Sequence, residues 1–296
     1  MRKILHCFNW VLKDVEENLN KIKETGFNAI QIGPIQECKE GTEYWKLYQP
    51  LYFTIGNRLG TKEDFISLCE KAHELDIQVY VDVVLRHMAG KDTGEMIPSD
   101  KVDFRIADNR FYWMEERLHE CCNGSNPEDR WQVINYNWGM PTLNYYNSAL
   151  WENYYFQFLD EVLKYADGIR IDQMKHLALP YEGCALLEEI RERYQDKYIY
   201  GEAINLPDYM LEKYAGYVDV LIGEYEHYYN KHQAVYFFES HDTYNDFGYT
   251  RWMDDNTRLN KWLTLITGCD NCIYFARPYD NTIFCDYMKY INKNYR

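Results

Sequence analysis

Acidic, basic and imidazole side chains gather in four short stretches of this chain. VDVVLRH (81–87) holds Asp82, Arg86 and His87. GIRIDQMKH (168–176) holds Arg170, Asp172, Lys175 and His176. GEA (201–203) supplies Glu202, and FFESHD (237–242) ends on His241 and Asp242. Taken singly, each has a structural explanation. Asp82 fits a buried carboxylate satisfied by backbone, and Glu202 fits an ordinary loop acid. Arg170 and Asp172 point the same way along a strand and fit an ion pair. Brought to one rim, several carboxylates, three histidines and an arginine make a site for carboxylate acid–base and nucleophilic chemistry.

The elements that must position them alternate between apolar strands and amphipathic helices. Strands are read at Ile4–Phe8, Asn28–Ile32, Gln78–Val84, Gly168–Ile171, Tyr198–Gly201, Asp219–Ile222, Val235–Phe238 and Asn271–Phe275. Helices are read from Val15 to a stop at Gly26, and at Lys62–Leu75, Ser148–Tyr165, Cys184–Tyr194, Thr257–Ile266 and Cys285–Asn294. Eight strands with intervening helices predict an α/β protein, a (β/α)₈ TIM barrel over 1–87 and 145–296. Between about Met88 and Asn144 the period fails, and the stretch is too long for a structureless loop. It predicts an inserted subdomain, 88–144, after the third strand. In such barrels chemistry sits at the C-terminal strand ends, where the four stretches fall. The stretch between Glu202 and Asp242 is short, and only about a dozen residues separate strands six and seven. The sixth helix is therefore expected to be small or absent, with 223–232 as its source.

Composition narrows the partners. The 296 residues include 47 acidic and 32 basic ones, a net charge of −15. That balance argues against duplex nucleic acid and anionic membrane surfaces. No run of about eighteen apolar residues predicts a spanning helix. Aromatic residues reach 17%, 29 of them tyrosines, which fits either a tyrosine-rich core or a surface that stacks on sugar rings. The nine cysteines are irregularly spaced, and one C-x-x-C (Cys269, Cys272) lacks the second pair of a zinc site. Reduced thiols and no clear signal peptide predict a cytoplasmic protein.

The four stretches, in this order, resemble the signature regions of the α-amylase superfamily. YWKLYQPLYFTIGNRLGTKEDF (44–65) and MPTLN (140–144) are similar to further segments of that family. The resemblance covers nearly the whole chain. It implies Asp172 as nucleophile, Glu202 as acid/base and Asp242 as the third carboxylate, holding sugar hydroxyls and stabilising the transition state. It implies Arg170 beside the nucleophile, His87 and His241 on the sugar at the cleavage subsite, and Tyr48 stacked under it. Trp45 and Gln49 are expected nearby, Lys175 and His176 on the leaving-group side, and Asp82 as a structural carboxylate. The substrate implied is an α-glucan or maltooligosaccharide. Retaining chemistry needs an ionised Asp172, helped by Arg170, and a protonated Glu202, helped by burial or nearby carboxylates.

The departures matter as much. The resemblance implies a calcium site, yet Arg86 and Thr142 stand at two of its ligand positions, so no metal is expected. Arg86 is expected to replace the ion, bridging barrel and insertion by ion pairs. Ser240 stands where animal members carry a chloride-holding Asn. The chain looks like a minimal form lacking the family's C-terminal β-sandwich. Trp113, Trp131, Tyr136 and Trp138 of the insertion, with Tyr145 beyond it, fit either subsites or local core. An α-glucan transglycosylase shares these motifs, as does a glucan-binding protein on the same frame. Lys175–His176 favours hydrolysis, and the intact carboxylates favour an enzyme.

Overall fold

A computed structural model describes residues 1–91, 98–102, 123–226 and 230–295. Trp113, Cys121 and Cys122 lie outside the described residues. The strands are β1 (Arg2–Cys7), β2 (Ala29–Ile32), β3 (Gln36–Cys38), β4 (Pro50–Ile55), β5 (Gln78–Val83) and β6 (Gly168–Ile171), then β7 (Tyr198–Glu202), β8 (Asp219–Gly223), β9 (Ala234–Phe237) and β10 (Asn271–Phe275). Eight of them close a parallel barrel in the order β1, β2, β5, β6, β7, β8, β9, β10, the last pairing back to β1. This is the (β/α)₈ barrel that the alternation predicts.

Two clusters divide the apolar residues by strand parity. Leu5, Ile30, Val81, Ile169 and Ile171 face outward into the layer beneath the helices. Ile4, Ala29, Tyr80, Tyr200, Leu221 and Phe237 fill the barrel interior. The same parity puts Asp82, Arg170 and Glu202 on the inner face, nearer the C-terminal ends.

The helices are α1 (Leu12–Thr25), α2 (Lys62–Glu74), α3 (Arg130–Asn135), α4 (Phe156–Leu163), α5 (Leu186–Arg193), α6 (Asp208–Ala215), α7 (Asp255–Gly268) and α8 (Asp286–Asn294). α1 buries Leu12, Val15, Leu19 and Ile22, a 3.6-residue stripe. It stops at Gly26, whose φ of 93° is a left-handed conformation that glycine adopts without a Cβ penalty. α2 starts on a capping box between Thr61 and Asp64.

Three local differences from the sequence expectation stand out, and one expectation is met. The helix expected at Ser148–Tyr165 carries a π-helical turn at Trp151–Tyr155 before α4. α6 occupies a span where periodicity suggested none. Between β8 and β9 the described residues hold only a 3₁₀ turn, Lys231–Gln233, in keeping with the small or absent sixth helix expected there. Finally, β3 and β4 pair antiparallel outside the barrel, and the loop between them carries Tyr44–Gln49 to the barrel mouth. A three-residue strand is too short to leave a periodic signal. Among the described residues, no helix is long and apolar enough to cross a membrane.

Candidate active site

Register brings the charges together. Asp82 on β5 pairs across from Arg170 on β6. Arg170 Nη1 donates to Asp82 Oδ1 and Oδ2 at 2.8 and 3.0 Å and to Asp172 Oδ1 at 2.7 Å. Its Nη2 lies 3.0 Å from Glu202 Oε2. One buried guanidinium therefore contacts three carboxylates from three adjacent strands. The Tyr48 hydroxyl donates to Asp82 Oδ2 at 2.9 Å, which completes the partners of the buried carboxylate.

Three negative groups against one guanidinium cannot all ionise without mutual repulsion, so they titrate as a unit. Burial raises Asp172 well above the usual carboxylate range; Arg170 opposes this, while Glu202 and Asp82 add to it. Burial also works against charge on Glu202, but Arg170, the Gln173 N–H, Lys175 and His241 outweigh it and hold Glu202 low. The direction is the reverse of the sequence expectation. The reason is local: Glu202 Oε2 accepts from the Gln173 backbone N–H at 2.9 Å, whereas Asp172 shares Nη1 with Asp82. Gln173 holds that N–H in place with a φ of 49°, a strained backbone of the kind that collects at functional sites.

His241 lies between two parallel rings. Phe8 stacks on one side with centroids 4.8 Å apart, and Tyr48 at 5.2 Å. Its Nε2 is 3.4 Å from Asp242 Oδ1, and Asp242 opens a π-helical turn, Asp242–Asp246. Phe8 was not picked out from sequence, although its place at the end of the first strand marks it by the rule applied to the other strands. Gln173 left no signal, because any residue carries a backbone N–H.

His87 Nε2 shares a hydrogen bond with the Tyr48 carbonyl at 2.7 Å, and His176 Nδ1 with the Val133 carbonyl at 2.8 Å. Burial lowers their pKa values to about 4 and about 3, so both imidazoles are neutral at pH 7. Lys175 Nζ donates to the Ile204 carbonyl at 3.1 Å.

These groups line a groove of about 640 Å³. Tyr48, His87, Lys175, His176 and His241 are on its wall with Asp172, Glu202 and Asp242. Trp45 stands on the rim, half exposed. Gln49 is buried away from the groove lining, and Arg170 lies beneath it as the carboxylates' anchor. Of the insertion aromatics, Trp138 lines the groove 5.6 Å from His176. Tyr145 is buried core, and Trp131 faces solvent. Phe247, Tyr249 and Trp252, exposed on the segment after β9, add an aromatic rim.

Arg86 is buried in the seam between the 130–137 segment and the barrel. Its Nε donates to the His176 carbonyl at 2.9 Å, and Nη2 to those of Ile134 and Tyr136 at 3.2 and 3.1 Å. The Tyr145 ring lies 5.0 Å from its guanidinium carbon. The expected ion pairs are replaced by carbonyl contacts: no carboxylate meets Arg86 among the described residues. Carbonyl dipoles solvate the charge without bringing a second desolvated ion into the seam. Carbonyl oxygens around a fixed positive charge do not suit a divalent cation, so the described residues around Arg86 do not fit the calcium that the resemblance implies.

The family model described as "Alpha amylase, catalytic domain" matches residues 11–272. An α-amylase of Clostridium acetobutylicum is 33% identical over 180 residues, 59% of this chain and 23% of that protein. The chain spans less than half the length of the curated relatives it matches. Among solved structures, an α-amylase from Malbranchea cinnamomea superposes with a TM-score of 0.76 at 17% identity, covering 99% of this chain and 76% of that one. The Geobacillus thermoleovorans α-amylase complexed with acarbose gives 0.74 at 17% identity, covering 98% and 77%. At such identities the superpositions speak for the fold alone.

Proposed function

Because this chain belongs to the α-amylase family, we propose that it is a retaining glycoside hydrolase cleaving α-1,4-glucosidic bonds. The observation that carries this is the single guanidinium of Arg170 holding Asp172 and Glu202 on adjacent nitrogens. Such sharing keeps two carboxyls close, as the roughly 5 Å gap of a retaining pair requires, and leaves little room for the water of an inverting pair.

In this proposal a glucosyl ring stacks on Tyr48, with His87 and His241 toward its hydroxyls. Glu202 protonates the leaving glycosidic oxygen while Asp172 attacks the anomeric carbon, giving a covalent glycosyl-enzyme. Glu202 then takes a proton from water, which attacks the same carbon and releases Asp172. Asp242 binds ring hydroxyls more tightly as the ring flattens. The substrate-free surroundings favour the neutral form of Asp172 and the charged form of Glu202. Substrate that draws Glu202 away from Arg170 and the Gln173 N–H raises the Glu202 pKa and moves the proton to where the reaction uses it. We further propose that Arg86 stands in for the ion at the insertion seam, and that the setting is cytoplasmic, which suits the thiols of Cys7, Cys38, Cys69, Cys269, Cys272 and Cys285, none of them in a disulfide among the described residues.

Maltoheptaose hydrolysis followed by proton NMR tests the reading. Short products released first as α-anomers, and abolished in Asp172→Asn, are the expected result. Initial β-anomers, or no turnover by wild type, overturn it. Products longer than the substrate at high concentration reassign the acceptor from water to sugar.

A further inference from the structure

The C-x-x-C of the sequence, Cys269 to Cys272, plays no part in glycoside chemistry, and the fold gives it a place of its own. It spans the turn from the end of α7 (Asp255–Gly268) into β10 (Asn271–Phe275). The barrel strands run parallel, so this turn lies at their N-terminal ends, opposite the rim that carries Asp172, Glu202 and Asp242.

Backbone contacts fix the turn at both ends. Cys269 N–H donates to the Leu265 carbonyl at 2.9 Å, and Arg2 N–H donates to the Asp270 carbonyl at 2.7 Å. The Asn271 side chain accepts from Arg2 Nη1 at 3.2 Å and donates to the Ala234 carbonyl at 3.3 Å. Cys272 is held in the ladder, paired with Lys3 on β1 and Tyr236 on β9. Within this frame the two sulfur atoms meet. Cys272 Sγ donates to the Cys269 carbonyl at 3.8 Å, and the two thiols share a hydrogen bond. Two groups held together in this way react as if at high concentration.

The two thiols are not equivalent. Cys269 is half-buried and reaches solvent, whereas Cys272 is fully buried. The hydrogen bond from Cys272 holds the Cys269 thiol below its usual range; burial and Asp270 oppose this, and Lys231 from the turn before β9 assists. The same contact, with burial, pushes Cys272 up. Asp270 is itself in contact with His232. An exposed attacking thiolate over a buried resolving thiol is the arrangement that dithiol exchange needs. Cys7, Cys38 and Cys69 differ: burial pushes their thiols up, Cys38 to about 11, and a protonated thiol is a poor nucleophile.

We propose that Cys269 and Cys272 form a reversible thiol-modification site that takes low-molecular-weight disulfides of the glutathione class. The Cys269 thiolate attacks one sulfur of the disulfide, forms a mixed disulfide and releases a thiolate that takes up a proton. Cys272 then gives its proton to solvent and attacks Cys269 Sγ. The Cys269–Cys272 bond closes and the second thiolate leaves, to be protonated in turn. The two cysteines are oxidised, the small disulfide is reduced to two thiols, and the protons pass from protein to product. In a reducing compartment the pair stands open, and it closes as the disulfide pool rises. The site does not depend on the hydrolase reading.

Native protein incubated with oxidised glutathione, quenched in acid, alkylated and read by peptide mass spectrometry tests the proposal. In wild type, Cys269 and Cys272 are expected to lose alkylation together, joined to each other with no glutathione retained, and dithiothreitol is expected to restore both thiols. Cys272→Ala is expected to stop with glutathione on Cys269, and Cys269→Ala to leave Cys272 unmodified. Melting temperatures confirm that each sample is folded, and the wild-type result stands even where a variant is not. Wild type that keeps both thiols alkylatable, or that holds glutathione on Cys269 without closing, overturns the proposal. A bond from Cys269 to any other cysteine, or one that forms only in urea-unfolded protein, overturns it as well.

Discussion

Asp172 and Glu202 share one guanidinium, yet their environments push them apart, and that separation can be read from stability. Asp172 is raised by burial. Its neutral form is favoured in the fold, so its contribution is fully present below the unfolded value near pH ~3.9 and lost as pH rises through the raised value. Asn cannot ionise. Asp172→Asn should therefore gain stability relative to wild type as pH climbs from about 4 to 7. Glu202 is lowered despite its burial, by Arg170 and the Gln173 N–H. Its contribution is present above the unfolded value near ~4.3 and lost as pH falls through the lowered one. Glu202→Gln should be less stable than wild type at pH 7, with the deficit closing toward low pH. Melting temperatures of both variants from about pH 3.5 to about 7.5, a range that starts below the roughly 4 of a free carboxyl, decide the matter. Two curves with the same slope would mean that the asymmetry is absent.

Elements position these residues through close approaches as well as through parity. Gly168 begins β6, opposite Tyr198 on β7. A Cβ there would lie 1.9 Å from the Tyr198 carbonyl oxygen, a backbone atom that cannot swing aside. Gly168→Ala should force β6 and β7 apart and with them Arg170 from Glu202. The expected outcome is loss of soluble folded protein, or a destabilisation of roughly 3 kcal/mol or more by denaturant titration. A variant with wild-type stability would mean that the barrel tolerates a local shift at this pair. The β3–β4 hairpin and the π-helical turn at Asp242 do comparable work at the mouth. The hairpin delivers Tyr48 to Asp82, and the turn starts at the carboxylate itself, a placement common for π-turns at functional sites.

On the scale of the whole molecule, the 130–137 segment is joined to the barrel through Arg86. The guanidinium joins the carbonyls of Ile134 and Tyr136 to that of His176, beside the groove. Burial lowers its pKa, yet an arginine remains charged at neutral pH. Removing it in Arg86→Ala takes the donor from the His176 carbonyl and one donor each from Ile134 and Tyr136, whose carbonyls keep the Tyr145 and Thr142 hydroxyls, and should cost about 3 kcal/mol. Excess calcium should not restore the loss, and EDTA should leave the wild-type melting temperature unchanged. A fall in wild-type stability with EDTA would mean that an ion shares the seam.

Much of this was legible in the chain itself. Strand parity and βα alternation specified the barrel, because burial on a period of two or 3.6 writes itself into residue type. The motif stretches named Asp172, Glu202, Asp242 and Arg170, because carboxylates and an arginine at strand ends stand out. Tertiary structure alone decided the rest. Nothing local reveals that Arg170 meets three carboxylates at once, since that depends on the register of β5, β6 and β7. Phe8 on His241 and the Gln173 N–H on Glu202 are contacts of generic groups, which carry no signature until the chain folds. The protonation order reversed for the same reason: a pKa belongs to the surroundings of a carboxyl, and those surroundings are assembled from across the chain.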